Sequence, residues 1–423
     1  TLHIMKQRLF TLLLLLFWAA SLLGEDWPHW RGPLLDGIGQ AKTLPDEWSE
    51  TKNVLWKTPL PAAGSSTPIV IKGNIFLTLE FEKQVLLLCF DKDGKESWRR
   101  KVCESNGKGN GERTNASPSP VSDGQRVIVM TGTGEVVAFS LDGKEAWRFN
   151  AQERYGKFRL GFGFHVTPIL HESRLYLQLI HAGAALLACV SPETGAELWK
   201  VERKSDGVAE CLHSYASPTA HRHDEVNVVI THGNDYCIGH DPADGKELWR
   251  IGGLNPKDRY NRTLRFVASP VVHAGLVIAP SAKGRGMVGV RLSEAKGLIM
   301  KGAKGELWRT DKGTTDVTSP LVYQGVVYFC KENGTVLCLD AITGEQLYQE
   351  RFHGQTYRGS PVAANGRVIF TARDGTFTVL NAGRSYEIIA KNKLKDQFTA
   401  SPVIVDERLY LRGYENLYAI GLK

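Results

Sequence analysis

The sequence predicts an all-β fold, an eight-bladed β-propeller of four-stranded antiparallel blades in which the two chain ends complete one blade together. Three observations predict it. A Ser/Thr-Pro pair recurs at Thr67-Pro68, Ser117-Pro118, Thr167-Pro168, Ser217-Pro218, Ser269-Pro270, Ser319-Pro320, Ser360-Pro361 and Ser401-Pro402, with spacings of 50, 50, 50, 52, 50, 41 and 41 residues. Each pair opens a run of short apolar segments separated by glycine, asparagine or aspartate turns. A lone strand with the unit's closing aromatic, Asn53-Val54-Leu55-Trp56-Lys57, precedes the first pair. Repetition at a fixed period of this length marks an array of one supersecondary unit.

Each element of the unit has a local cause. Pro270-Val271-Val272 is a short β-branched run next to a proline. A turn such as Ala274-Gly275 or Asn365-Gly366 follows. The second run, as in Val326-Val327-Tyr328-Phe329, and the third, as in Thr335-Val336-Leu337-Cys338-Leu339, are strand-length and turn-bounded, as antiparallel strands are. The fourth opens on an acidic-glycine turn. Trp98, Trp147, Trp199, Trp249 and Tyr348 each stand four residues after Gly94, Gly143, Gly195, Gly245 and Gly344. Glycine supplies the positive-φ turn, and the indole covers apolar surface between neighbouring sheets. In Gly305-Glu306-Leu307-Trp308 the spacing is one shorter, so that turn differs, and the unit opened by Ser360 has lost its aromatic. The last unit has room for three strands, so residues 53–57 supply its fourth and remove an open edge. The competing count is a seven-bladed ring with a stray unit.

Residues 1–24 read as a secretory signal: Lys6 and Arg8, an apolar core from Leu9 to Ala20, then small residues before Glu25-Asp26. Retention as an anchor is the other reading, and no cysteine follows the core to take a lipid. Residues 25–52 are an extension packing on the ring, and 53–423 are the propeller. Net charge is +7, or +5 without Lys6 and Arg8, and no basic stripe marks a nucleic-acid partner. The seven cysteines include no CxxC, and most sit in apolar runs as buried thiols. The expected location is secreted or periplasmic, with no transmembrane span after the signal.

The pattern Asp241-Pro242-Ala243-Asp244-Gly245-Lys246-Glu247-Leu248-Trp249 after Ser-Pro, repeated closely at Asp340–Tyr348, resembles the PQQ-type propeller repeat. Quinoprotein dehydrogenases and non-enzymatic outer-membrane assembly propellers share that repeat. The resemblance spans residues 53–423 and implies the fold. The leader Asp26-Trp27-Pro28-His29-Trp30-Arg31-Gly32-Pro33 with Asp36-Gly37 is similar to the opening of secreted bacterial members. For an enzyme, the resemblance implies PQQ, a Ca²⁺ ion held by carboxylate and amide oxygens, a catalytic Asp and, in many members, an adjacent-cysteine disulfide. The disulfide is missing here, and no acid of this chain matches the catalytic or metal positions. The repeat therefore transfers a fold and not an activity.

In a propeller, the connections between blades and the turns between the middle strands share one face. The segments before each Ser/Thr-Pro pair are expected to line its entrance. They supply the candidate ligand-binding residues Arg113, Asn115, His165, His213, Tyr215, Arg265, Asp316, Tyr357, Arg358 and Gln397. The middle turns add His181, His232, Asn234, Asp235, Arg285, Lys331, Arg373 and Arg412. Guanidinium and amide donors suit a carboxylate, phosphate or sulfate. No catalytic residue and no metal site is assigned: His221-x-His223 lies toward the opposite face, and Glu210 and His213 lack a helix to align them. The expectation is a non-catalytic propeller that binds a protein, glycan or anionic small molecule, with no cofactor assigned and PQQ and Ca²⁺ kept for the enzyme alternative. The alternatives are a divergent PQQ- and Ca²⁺-dependent alcohol or sugar dehydrogenase and an envelope-assembly scaffold.

Overall fold

The computed structural model describes residues 25–107, 111–223 and 225–423; the segment read as a signal lies outside them. Eight sheets succeed one another along the chain to form the eight-bladed propeller. In the first blade Ile69–Ile71 lies nearest the axis, followed by Asn74–Phe81, Gln84–Phe90 and the peripheral Glu96–Glu104. The inner strands are almost wholly buried because neighbouring blades cover both their faces. The fourth, Glu-Ser-Trp-Arg-Arg-Lys-Val-Cys-Glu, has one face in solvent and is charged accordingly.

The final blade holds Val403–Val405, Arg408–Arg412 and Asn416–Ile420, and its fourth strand is Val54–Pro59 from the other end of the chain. The two pair antiparallel, with Trp56 opposite Ala419 and Thr58 opposite Leu417. Eight sheets leave no stray unit.

The glycine–aromatic spacing joins blades. An added Cβ on Gly94 would stand 2.6 Å from Trp56 of the preceding blade, and one on Gly195 would stand 2.7 Å from Trp147. Four of these indoles donate their N–H to the next blade's turn: Trp56 to Lys92 O (3.0 Å), Trp98 to Leu141 O (3.2 Å), Trp147 to Pro192 O (2.9 Å) and Trp308 to Ala341 O (2.9 Å). Where the aromatic is missing, Ala390 holds its register position opposite Val379, and Tyr386 packs back on the Tyr348 ring of the preceding blade (5.7 Å).

The fourth blade departs from four strands. Its outer strand Glu247–Ile251 gains a parallel neighbour, Gly297–Ile299, taken from the insertion before the shortened Gly305–Trp308 turn. The seven cysteines form no disulfide, and all but Cys103 are buried. Among the described residues no helix is long and apolar enough to cross a membrane.

Candidate functional site

The structure shifts the repeat anchor in the second blade. The residue equivalent to Thr67 is Ser119, in Ser119-Pro120-Val121, and not Ser117; both Ser-Pro pairs stand in the run Ser117-Pro118-Ser119-Pro120. With that register the anchors form a closed circuit. The backbone N–H of Thr67 donates to the Ser119 hydroxyl (2.9 Å), Ser119 to Thr167 (3.0 Å), Thr167 to Ser217 (3.0 Å) and Ser217 to Ser269 (2.9 Å). Ser269 continues to Ser319 (2.9 Å), Ser319 to Ser360 (2.9 Å) and Ser360 to Ser401 (3.0 Å), and Ser401 returns to Thr67 (3.3 Å). Ser or Thr is needed at each anchor because its hydroxyl must satisfy the buried N–H of the preceding blade.

These anchors surround an axial cavity of about 390 Å³. Its wall has two tiers, because an extended chain turns alternate side chains to the axis. One tier is the anchors. The other is the residues two positions before them: Ser65, Ser117, His165, Tyr215, Val267, Val317, Arg358 and Thr399. The upper mouth adds Glu112, Arg113, Phe162 and Arg265. The wall is polarised, with Val267 and Val317 forming an apolar arc.

The cations of the mouth are held in place. Arg358 Nε stands 2.8 Å from Glu112, which also pairs with Arg373. Arg265 lies 3.3 Å from Glu210, and its Nε is buried without a partner among the described residues. The guanidinium groups of Arg113 and Arg265 lie 5.3 and 4.7 Å over the half-exposed Phe162 ring. Phe162 rides on a connection that opens with the helix Ala151–Tyr155, capped by Asn150. Its N–H donates to Tyr215 Oη (3.2 Å), and its carbonyl lies 2.6 Å from His165 Nε2. Burial, reinforced by the Arg113 charge, pushes His165 below the ordinary imidazole range, so the neutral ring is favoured. Burial raises the Tyr215 phenol.

Below the anchors the leader closes the channel. Trp27 exchanges backbone hydrogen bonds with Val70 (2.7 and 3.1 Å), and Pro28 O accepts from the Ser122 N–H (3.0 Å). His29 Nε2 accepts from the Leu170 N–H (3.1 Å). Arg31 donates to Pro320 O (2.9 Å), Pro361 O (3.2 Å) and Asp36 O (2.8 Å), and Asp36 meets His273 at 3.1 Å. Gly37 is required: at φ +83° an added Cβ would come within 2.7 Å of Arg31 Nη2. Total burial lowers Arg31 to about 10 and His29 to about 4. The adjacent Trp30 faces upward as part of the cavity lining.

The candidate residues therefore divide. Arg113, His165, Tyr215, Arg265 and Arg358 line the cavity. Asn115 lies behind the wall, its amide donating to Ser105 Oγ and Asn106 Oδ1 (2.8 Å each). His213 is outside the lining near Glu210, lowered by burial. Asp316 takes Glu332 on its backbone N–H (2.9 Å). Tyr357 is fully buried, its hydroxyl 2.9 Å from His353 Nδ1. Gln397 lines a separate outer hollow with Asp396 and Tyr414. Among the middle-turn residues His232 and Arg412 are buried structural groups. Trp30, Glu112, Phe162 and the anchor hydroxyls escaped the sequence reading; alternation from the anchor would have found the hydroxyls.

The cavity lining carries more cations than carboxylates and does not fit a calcium ion. Glu112 is its only carboxylate and is engaged by arginines, and no group of three or more His, Cys, Asp or Glu with metal-holding geometry exists among the described residues.

Comparison with known proteins gives a consistent picture. The family profile described as outer membrane protein assembly factor BamB matches residues 47–140, 82–305 and 297–420. No curated protein matches the sequence. Among solved structures, BamB from Moraxella catarrhalis superposes with a TM-score of 0.57 at 14% identity, covering 87% of this chain and 99% of its own. Quinohemoprotein alcohol dehydrogenase from Comamonas testosteroni gives 0.66 at 11%, covering 94% and 80%. A europium-containing methanol dehydrogenase gives 0.67 at 10%, covering 94% and 98%. At these identities the likeness is one of fold.

Proposed function

The chain belongs to the outer membrane protein assembly factor BamB family, and from that premise we propose that it is a secreted or periplasmic binding propeller that holds an anionic small molecule in its funnel. The carrying observation is the convergence of Arg113, Arg265 and Arg358 on one cavity that contains a single carboxylate. Guanidinium groups in a partly enclosed site recognise carboxylate, phosphate or sulfate through charge-assisted hydrogen bonds. The pairs to Glu112 and Glu210 hold the guanidinium groups at the mouth, which lowers the ordering cost of binding. The upper face around the funnel is also where a protein or glycan partner would dock.

Native mass spectrometry of the purified protein tests this reading. The expected result is a co-purifying acidic molecule that is lost from an Arg265→Gln/Arg358→Gln variant. A spectrum free of adducts, or an adduct indifferent to the two arginines, would overturn it. The quinoprotein alternative predicts that PQQ with Ca²⁺ raises the melting temperature, because a ligand that binds only the folded state stabilises it. An unchanged melting curve at ligand excess eliminates that alternative.

A further inference from the structure

We propose that Trp30, contributed by the leader, is the base on which the funnel's ligand rests, and that the ligand is an acidic saccharide. The inference rests on the funnel being an anion site and names what that site selects. Without residues 27–37 the axial cavity would open through the ring. With them it is a cup. The leader is secured to the innermost strands through Val70, Ser122, Leu170 and Ala363 and to the carbonyls of Pro320 and Pro361. Those two prolines directly follow anchors Ser319 and Ser360, which places Arg31 just beneath the hydroxyl circuit. Trp30, next in the chain, lines the cavity while the Arg31 guanidinium stands 5.5 Å from its ring. The indole is therefore held in the cavity lining by a neighbour whose three hydrogen bonds go to backbone carbonyls.

The remaining wall sets the ligand class. Every anchor hydroxyl accepts a backbone N–H, and an oxygen that accepts still carries its own proton to donate. The cavity is thus encircled by hydroxyl donors, with Ser117 and Thr399 in the tier above, where Ser65 gives its proton to Ser117 Oγ (3.2 Å). Below lies an aromatic face, and above lie guanidinium groups. A sugar ring presents an apolar C–H face, an equator of hydroxyls and, in uronic or sulfated forms, one anionic substituent. Those three features match the indole, the hydroxyl tiers and the arginines. A flat aromatic acid would match the first and last but would leave the encircling hydroxyls facing ring edges that cannot hydrogen-bond.

Titration calorimetry of the purified protein with digalacturonate, cellobiose and 2-naphthoate tests the assignment. Digalacturonate should bind, cellobiose at least tenfold more weakly, and Trp30→Leu should weaken digalacturonate at least tenfold. Binding that survives Trp30→Leu but is lost in Arg358→Gln would remove Trp30 from the site and leave the anion funnel standing. Naphthoate binding more tightly than digalacturonate, or no probe binding while an acidic molecule still co-purifies, would overturn the saccharide class. If no probe binds and nothing co-purifies, the funnel reading itself fails. Should Trp30→Leu not fold, Trp30→Phe serves. The tryptophan fluorescence change on adding digalacturonate must then vanish, and its persistence would remove Trp30 from the site.

Discussion

The two mouths of the channel use the same kind of residue in opposite ways. At the lower mouth Arg31 is 3% exposed and gives its two terminal nitrogens to three backbone carbonyls. At the upper mouth Arg265 and Arg358 keep part of their surface in the cavity and pair with carboxylates that are themselves partly exposed. One guanidinium closes the fold; the others stand ready at the cavity wall. The contrast teaches that a cation's role here follows from what its donors already hold, and not from its presence near the axis.

The sharpest way to break this contrast is to remove one arginine from each mouth. Arg31→Met deletes the donors of Pro320 O, Pro361 O and Asp36 O inside the leader seat. Hydrogen bonds from a charged group contribute about 1.5–3 kcal/mol each, and a buried acceptor left unmade is costly. The expected loss is about 3 kcal/mol or more, read as a lower urea midpoint at unchanged slope. Arg358→Met at the upper mouth should stay within about 0.5 kcal/mol, as partly solvated ion pairs do. Equal losses at the two sites would dissolve the distinction.

Acid should act on the lower mouth next. Burial holds His29 at about 4, while in the unfolded chain it protonates near the ordinary imidazole value of 6.5. The folded value is the depressed one, so the unfolded state binds the extra proton between those limits. The neutral ring's contribution is complete above pH 6.5 and is lost as pH falls to about 4. His29 alone accounts for on the order of 2–3 kcal/mol across that window. His171 of the third blade, partly buried nearby, adds unfavourable charge as it protonates. Comparing melting temperatures at pH 7 and pH 4.5 should show a smaller drop in His29→Gln than in the parent, since His181, His232 and His240 are likewise depressed and remain. An identical drop would place the acid sensitivity elsewhere.

How far such residues were legible from sequence depends on whether they repeat. Blade number, strand order and ring closure rest on Ser/Thr-Pro and Gly-Trp, local signals printed many times over, so one shifted anchor at Ser117 did not disturb the count. The site is legible only in phase. Asp316 and Tyr357 stand three residues before their anchors, where an extended chain turns the side chain away from the axis. Asn115, His213 and Gln397 stand four before, a level at which only Arg265 reaches the lining. Trp30 had no phase to be read from, because the leader occurs once and its place beneath the ring is a tertiary fact. Phe162 likewise sits on the one connection among the described residues that carries an α-helix.

Between the mouths, the hydroxyl circuit tests where structure ends and site begins. Ser269→Ala removes the acceptor of the N–H of Ser217, a buried residue. Leaving such a donor unmade costs about 1–3 kcal/mol, so a loss near 1–2 kcal/mol is expected in denaturant unfolding. Ser269→Thr should be close to neutral, because Thr67 and Thr167 already occupy equivalent places in the same circuit. If the hydroxyls serve only the ring, Ser269→Ala will leave binding of the funnel ligand unchanged despite its cost in stability. If they also face the ligand, affinity will fall with Ala and survive with Thr. The second outcome would place the boundary between fold and site within a single side chain, whose oxygen closes the circuit while its proton serves the cavity.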